Sequence, residues 1–310
     1  MLSDRGPLVS VVIPTHNREH SIARAVRSVM GQTYTDLEIV VVDDASTDGT
    51  MHLLESLAAR DSRLRFVRLP VRSGAQHARN VGIEAACGGY VAFLDSDNEW
   101  DGDKLERQMD LLLARPADDL VAYCGMRRVA SGVAVAEELP TATGSVYRVA
   151  LSRWLADTST LVVPRAVLAR AGSFREGLTA YQEWDLCIRL ARVCEFDCVP
   201  ACLVTYRCGD EYSISADLLG NATGYASVVA AHRGEIVACC GKQTLGHHYV
   251  NSGHMFLLAR KRELALRFYG RAVVTSPRPS IVLDVLAGLG GQVRRDVLAI
   301  VKRTIGRAHG

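Results

Sequence analysis

Asp95 and Asp97, two residues apart, follow directly on the apolar run Tyr90-Val91-Ala92-Phe93-Leu94. A run of that length after Gly88-Gly89 predicts a strand buried on both faces. Open α/β sheets hold their ligands in the crevice beyond the strand ends, which is where this pair falls. Like charges placed there do little for folding. They suit a hard divalent cation, because Mg²⁺ and Mn²⁺ take one or two carboxylates together with substrate phosphates. Asp43-Asp44 stands in an equivalent place, after Leu37-Glu38-Ile39-Val40-Val41-Val42. A third acidic set, Glu183 and Asp185, offers candidates for a general base. Trp184, Leu186, Cys187, Ile188 and Leu190 give that segment a helical pattern, and the macrodipole alone also favours acids in a first turn.

The elements that must position these groups are readable. Val9-Ser10-Val11-Val12-Ile13 predicts a strand stopped at Pro14, and Thr15-His16-Asn17-Arg18-Glu19 a loop. Ile22, Ala25, Val26 and Val29 recur at helical spacing between Ser21 and Met30. The second strand enters Asp43-Asp44-Ala45-Ser46-Thr47-Asp48-Gly49-Thr50, where Ser46 or Thr47 is expected to cap the helix carrying Met51, Leu54 and Leu57. A third strand, Leu64 to Leu69, leads to a small-residue helix around Ala78-Arg79-Asn80-Val81-Gly82 that can pack closely. Strands alternating with helices predict a mainly parallel, right-handed α/β sheet.

Four segments, in this order and spacing, resemble the family 2 glycosyltransferases of GT-A fold. They are Val9 to Arg18, Val41 to Thr50, Ala78 to Gly82 and Phe93-Leu94-Asp95-Ser96-Asp97. The likeness is dense over residues 8 to 115, looser to about 215 and weak beyond. It implies a Rossmann-like sheet flanked by helices. It also implies inverting transfer of a sugar from a nucleotide diphosphate sugar, with Mg²⁺ or Mn²⁺ as cofactor. The same resemblance puts Thr15, Asn17 and Arg18 beside the base and Asp44 on the base or ribose. Arg79 falls near the base or the diphosphate, Asp95 on the ribose or sugar, and Asp97 on the metal. The family's base aligns with Glu183, preceded here by Gln182 where relatives carry a second acid; Asp185 then belongs to the helix frame or is the rival base. The stretch Cys202 to Arg207 reads as a strand, with Arg207 a diphosphate contact or a surface ion pair. Cys208-Gly209 follows where some relatives place a histidine, so a histidine metal ligand is not expected.

Composition agrees with a folded enzyme: 310 residues, 48% hydrophobic, formal net charge +2. The expected organisation is a catalytic domain over 1–215, with a nucleotide-binding half 1–98 and an acceptor half 99–215. A helical C-terminal extension follows over 216–310, interrupted at Pro277 and Pro279. Neither a leader nor a membrane-spanning run is read in the sequence, so the expectation is a cytoplasmic protein whose cysteines stay reduced. Cys194, Cys198 and Cys202 fall among expected strands and a turn and form no tight metal pair, and His247, His248 and His254 lack partner spacing. Residues 255–310 carry eleven Lys and Arg against three Asp and Glu. A helix over 281–305, with Val282, Leu286, Leu289, Val293, Val297 and Ile300 on one face, either lies on the inner membrane surface as a peripheral contact or packs on the core. Nucleic acid is not an expected partner, since no recognition motif accompanies the basic excess. The expected partners are a nucleotide diphosphate sugar, UDP-linked by preference with deoxythymidine and guanosine donors open, and a glycan, lipid-linked or small-molecule acceptor in cell-surface glycan synthesis. A dehydrogenase would need G-x-G-x-x-G and a P-loop enzyme G-K-[ST]; neither is present. A sugar-nucleotide pyrophosphorylase would open on a glycine-rich basic loop. A binding protein of the same fold without turnover is the non-enzymatic alternative.

Overall fold

The computed structural model describes residues 6–115, 119–130, 132–208 and 217–288. The chain divides into two compact units, Met1–Leu178 with Gln182–Ser213, and Thr179–Tyr181 with Ile214–Gly310.

In the first unit β1 (Val9–Thr15), α1 (Ile22–Met30), β2 (Leu37–Asp43), α2 (Thr50–Ala58), β3 (Leu64–Arg68), α3 (Ala75–Ala85) and β4 (Tyr90–Phe93) alternate as the apolar patterns require. β1 is buried at every position, the signature of a strand covered on both faces. α1 buries Ile22, Ala25, Val26 and Val29 against it. α3 lies close because Gly82 has no side chain: a Cβ there would overlap Val12 Cγ1 of β1. The four strands are parallel, in the order β3-β2-β1-β4.

The chain then forms β5 (Asn98–Trp100), α4 (Lys104–Leu113), β6 (Leu120–Ala130), β7 (Val133–Glu138), α5 (Tyr147–Ser152), β8 (Val162–Pro164), α6 (Arg165–Ala171), α7 (Gln182–Ala191) and β9 (Glu195–Cys208). Here the mainly parallel expectation is corrected. The sheet continues β4-β8-β6-β9-β5, and β8 runs antiparallel to both β4 and β6, as β5 does to β9 and β7 to β6. Only β6–β9 is parallel in this half. The reason lies in the connection. The turn Thr158–Thr160 sits at the C-terminal end of β4, where Ser159 Oγ accepts Asp95 N at 3.1 Å, so the strand leaving it must run back along β4. A second correction concerns the cysteines. Cys198 and Cys202 lie on one continuous strand, β9, rather than on strands joined by a turn. Its register against β6 shifts around Cys124 and Gly125, next to Pro200, which has no N–H for the ladder. All eight cysteines whose side chains are described are free.

The second unit comprises α8 (Leu218–Ala231), α9 (Arg233–Leu258), α10 (Arg262–Thr275) and α11 (Pro279–Gly288). α9 is broken at Gly241, whose φ of 85° belongs to the left-handed region. α11 follows the break at Pro277 and Pro279 and buries Ile281, Val285 and Leu286 while leaving Leu283 exposed. The expected basic helix over 281–305 is therefore seen only to Gly288, packed on α9 and α10 within its unit; its remainder lies outside the described residues. Among those residues no helix is long and apolar enough to cross a membrane.

Candidate active site

The loops after β1 and β2 are tied to each other. Asn17 N donates to Ser46 Oγ at 2.8 Å, Arg18 N to Thr50 Oγ1 at 2.9 Å and Glu19 N to Asp48 Oδ2 at 3.1 Å. In return Asn17 Oδ1 accepts Thr47 N at 2.8 Å, and Glu19 Oε2 accepts Gly49 N at 2.7 Å. Asn17 has a φ of 50°, a conformation asparagine tolerates better than most residues. Ser46 and Thr47 do not cap α2. The N-cap is Gly49, with Asp48 just before it accepting Thr50 N at 3.1 Å, and Ser46 is committed to Asn17. Asp43 is fully buried and accepts Ser46 N, a structural role in the same loop.

Asp44 is 3% exposed and bonded to Thr15 O through its N–H at 2.8 Å. Its carboxylate accepts Ser73 N at 2.6 Å and Gly74 N at 2.8 Å, so it gathers the loop entering α3 onto the ends of β1 and β2. Each oxygen retains a second lone pair for a ring N–H or a ribose hydroxyl. Thr15 Oγ1 is buried beside it with no protein partner.

An alternating row of acids leaves β4, and arginines from four places answer it. Arg79 Nη2 of α3 meets Asp95 Oδ1 at 2.5 Å. Arg18 Nη2 lies 3.8 Å from Asp97 Oδ2. Glu99 Oε1 takes Arg24 Nε of α1 at 2.8 Å and Arg207 Nε of β9 at 2.5 Å. The antiparallel register Asn98↔Tyr206 places Arg207 across from Asp97. Arg79 is 3% exposed, with its guanidinium 5.2 Å from the Phe174 ring centroid. Its Nε and Nη1 are buried and have no protein partner. Such donors are costly to leave unpaired and suit an anionic ligand.

Glu183 stands in the first turn of α7, just after Tyr181 turns the backbone at φ 61°. Burial holds its carboxyl above the ordinary range and the charge of Asp95 adds to this, while Arg79 opposes it. The Trp154 indole N–H also opposes it from nearby, without reaching a full hydrogen bond. Asp157, which sequence reasoning missed, is pushed up to about 7, by burial first and then by Asp95 and Glu183. Glu183, Asp157, Asp95 and Arg79 thus act on one another at one end of the sheet. Asp185 belongs elsewhere: it is fully buried, its oxygens held by Arg189 Nε at 2.9 Å and Arg175 Nη2 at 3.1 Å. Ser159 was also unforeseen. It accepts Asp95 N and Asn98 Nδ2, and its carbonyl accepts Trp100 Nε1, which fixes the acidic turn. The polar run Asp157-Thr158-Ser159-Thr160 before a short apolar strand was the available signal. Among the described residues no group of three or more His, Cys, Asp or Glu is placed to hold a metal.

The profile for Glycos_transf_2, "Glycosyl transferase family 2", matches residues 10–177. This chain belongs to that family. The family's Bacillus subtilis member "Putative teichuronic acid biosynthesis glycosyltransferase TuaG" is 46% identical over 109 residues, 35% of this chain and 43% of the relative. The Escherichia coli protein "UDP-Glc:alpha-D-GlcNAc-diphosphoundecaprenol beta-1,3-glucosyltransferase WfgD" is 41% identical over 106 residues, 34% of this chain and 41% of the relative. The chain thus spans about two-fifths of the length of these curated relatives. The family 2 fold also recurs in solved structures. S. aureus TarS 1–349 in complex with UDP-GlcNAc superposes with a TM-score of 0.69 at 19% identity, over 90% of this chain and 84% of that one. Mannosyltransferase PcManGT from Pyrobaculum calidifontis, in complex with GDP-Man and Mn²⁺, gives 0.59 at 20% identity, over 98% and 88%.

Proposed function

We propose that this family 2 protein transfers a sugar from a nucleotide diphosphate sugar to an acceptor hydroxyl with inversion at the anomeric carbon. The observation that carries the reading is the convergence of Glu183, Asp95 and Asp157 on Arg79 beyond the ends of the parallel strands. Thr15 and Asp44 form the base and ribose side of the donor pocket, with Asn17 holding the loop that presents Arg18. Arg79 and Arg207 supply donors toward the diphosphate, and Asp95 faces the ribose or sugar. Glu183 is the base. It accepts the acceptor's hydroxyl proton as that oxygen bonds the anomeric carbon, and the electron pair of the broken carbon–oxygen bond leaves on the nucleoside diphosphate. A carboxyl raised by burial is a stronger proton acceptor once ionised, which suits the task. Asp185 is assigned to the helix frame because two arginines hold it.

Asp97 fits a hard cation by its chemistry, an anionic oxygen at a ligand-facing strand end. With no three-residue cluster among the described residues, the ion would be shared with the donor's phosphates. Mg²⁺ or Mn²⁺ bound there would stabilise the charge on the leaving diphosphate. UDP-linked donors are favoured, in keeping with the names of WfgD and the TarS complex, and the acceptor is a glycan or lipid-linked glycan of the cell surface. Residues 1–215 are assigned to catalysis and 216–310 to a helical extension, in a cytoplasmic protein whose segment 281–305 can make a peripheral membrane contact. The deciding experiment is nucleotide release from a panel of UDP-, dTDP- and GDP-sugars, with Mn²⁺ and with chelator. Release from one donor, lost in chelator, is the expected result; no release and no nucleotide binding from any donor defeats the reading.

A further inference from the structure

α4 opens with a lysine that the transfer chemistry leaves unused. Lys104 is fully buried, and its ammonium has no hydrogen-bond partner among the described residues. A buried cation costs stability, and at a helix N-terminus it also opposes the macrodipole, so folding alone favours an apolar side chain here. What the ammonium does meet is a ring: Nζ lies 3.8 Å from the centroid of Trp100. Burial draws Lys104 down to about 8, which still leaves it charged at neutral pH and able to hold the face of an indole. Trp100 is in turn fixed at both ends. Its backbone N donates to Ser28 Oγ at 3.1 Å, and its indole N–H donates to the Ser159 carbonyl at 2.9 Å. Gln108, one turn further along α4, donates to the next carbonyl, that of Thr160, at 2.9 Å.

We propose that Lys104 is a positioning residue for the transfer site, holding Trp100 so that the turn Thr158–Thr160 sets the backbone of Asp95. The effect on the donor rests on the transferase reading above, whereas the link from Lys104 to Asp95 stands on contacts alone. Ser159, gripped at its carbonyl by Trp100, receives Asp95 N at 3.1 Å and Asn98 Nδ2 at 2.8 Å on its hydroxyl oxygen. Its own N–H donates to Asp157 Oδ1 at 2.9 Å. One serine thus ties together the end of β4, the start of β5 and the carboxyl of Asp157. The Asp95 carboxylate, paired with Arg79, takes its direction from that backbone, and so does Asp97 two residues on. A cation over a ring face limits how the indole can tilt, and the tilt decides where the indole N–H holds Ser159. Sites keep their working geometry only when a supporting layer locks the residues that touch the ligand.

Hydrogen exchange of the ligand-free chain tests the link. Lys104→Met keeps an unbranched stem and removes the charge. In it, amides over 94–100 should exchange about tenfold faster relative to those of β1 and β2. Trp100→Phe keeps a ring and removes the indole N–H, and should do the same. The double variant should match either single one, because the two residues act in series. The melting temperature of Lys104→Met should be kept or raised, since the fold loses a buried cation without a hydrogen-bond partner. Calorimetry of UDP in the presence of Mn²⁺ reads the consequence: Lys104→Met should bind about tenfold more weakly. Met109→Ala, a cavity in the same helix, should instead lower the melting temperature and leave UDP affinity unchanged. Unchanged exchange over 94–100, single effects that add, UDP affinity kept in Lys104→Met, or a general loosening like that of Met109→Ala would each overturn the inference. Absence of UDP binding by the unaltered chain would count against the donor site, and the exchange measurement would still decide the link. If Lys104→Met does not fold, Lys104→Gln repeats both measurements.

Discussion

The loops after β1 and β2 meet their polar needs among themselves, whereas the cluster around Arg79 does not. Asn17, Glu19, Ser46, Asp48 and Thr50 exchange backbone and side-chain hydrogen bonds until the two loops form one layer. Around Arg79, one guanidinium pairs with Asp95 and lowers the raised carboxyls of Asp157 and Glu183, and two of its nitrogens are buried without protein partners. The first region is built to exist without a ligand, and its sequence motif is mostly loop architecture. The second region keeps a deficit that a bound anion and an incoming hydroxyl would relieve, as functional sites commonly do.

If the contrast is real, substitutions in the two regions must differ in what they damage. The largest effect is expected at Glu183→Gln: turnover should fall by about 10²–10⁴-fold with donor affinity kept, measured by steady-state transfer and nucleotide titration. Asp185→Asn should do the reverse. It strips the charge from a buried pair held by Arg175 and Arg189 and should cost about 3 kcal/mol of stability, read by denaturant unfolding, with kcat of the folded fraction little changed. If these two phenotypes were exchanged, the base would be Asp185. Asn17→Ala, on the self-satisfied side, should lose about 1 kcal/mol and lower the melting temperature before it alters donor specificity.

A further effect concerns pH. Asp157 titrates higher in the folded chain than in the unfolded one, so the folded state binds more protons between the ordinary aspartate range and about 7. Stability therefore falls as pH rises through that window and levels off above it. Asp157→Asn should flatten this part of the pH–stability curve. A slope unchanged in the variant would mean that another group carries it.

Much of this was legible because the relevant information is local. Runs such as Val9–Ile13 can only be buried strands, and Asp95 and Asp97 announce themselves by standing at the end of one. What escaped depended on contacts distant in sequence. The direction of β8 follows from Ser159 reaching Asp95, 64 residues away, and no periodicity encodes that. The burial of Arg79, beside Phe174 and paired with Asp95, depends on residues outside its own helix. Asn17 and Ser46 fit the roles of ligand contact and helix cap equally well from sequence. The bond from Asn17 N to Ser46 Oγ, across 29 positions, removes only the capping role of Ser46.

The missing side chain at Gly82 sets a length scale for the whole site. Arg79 and Gly82 are three residues apart on one face of α3, so the distance at which the helix rests on Val12 also fixes how far the guanidinium projects past the strand end. The pair Val12 and Gly82 works as a gauge block, with a bulky member on the strand and none on the helix. Thickening the helix side by one methyl would lift α3 and draw Arg79 back from Asp95, and trimming Val12 to alanine would let it settle again. The reach of Arg79 can thus be adjusted from the core, by trading volume between Val12 and Gly82.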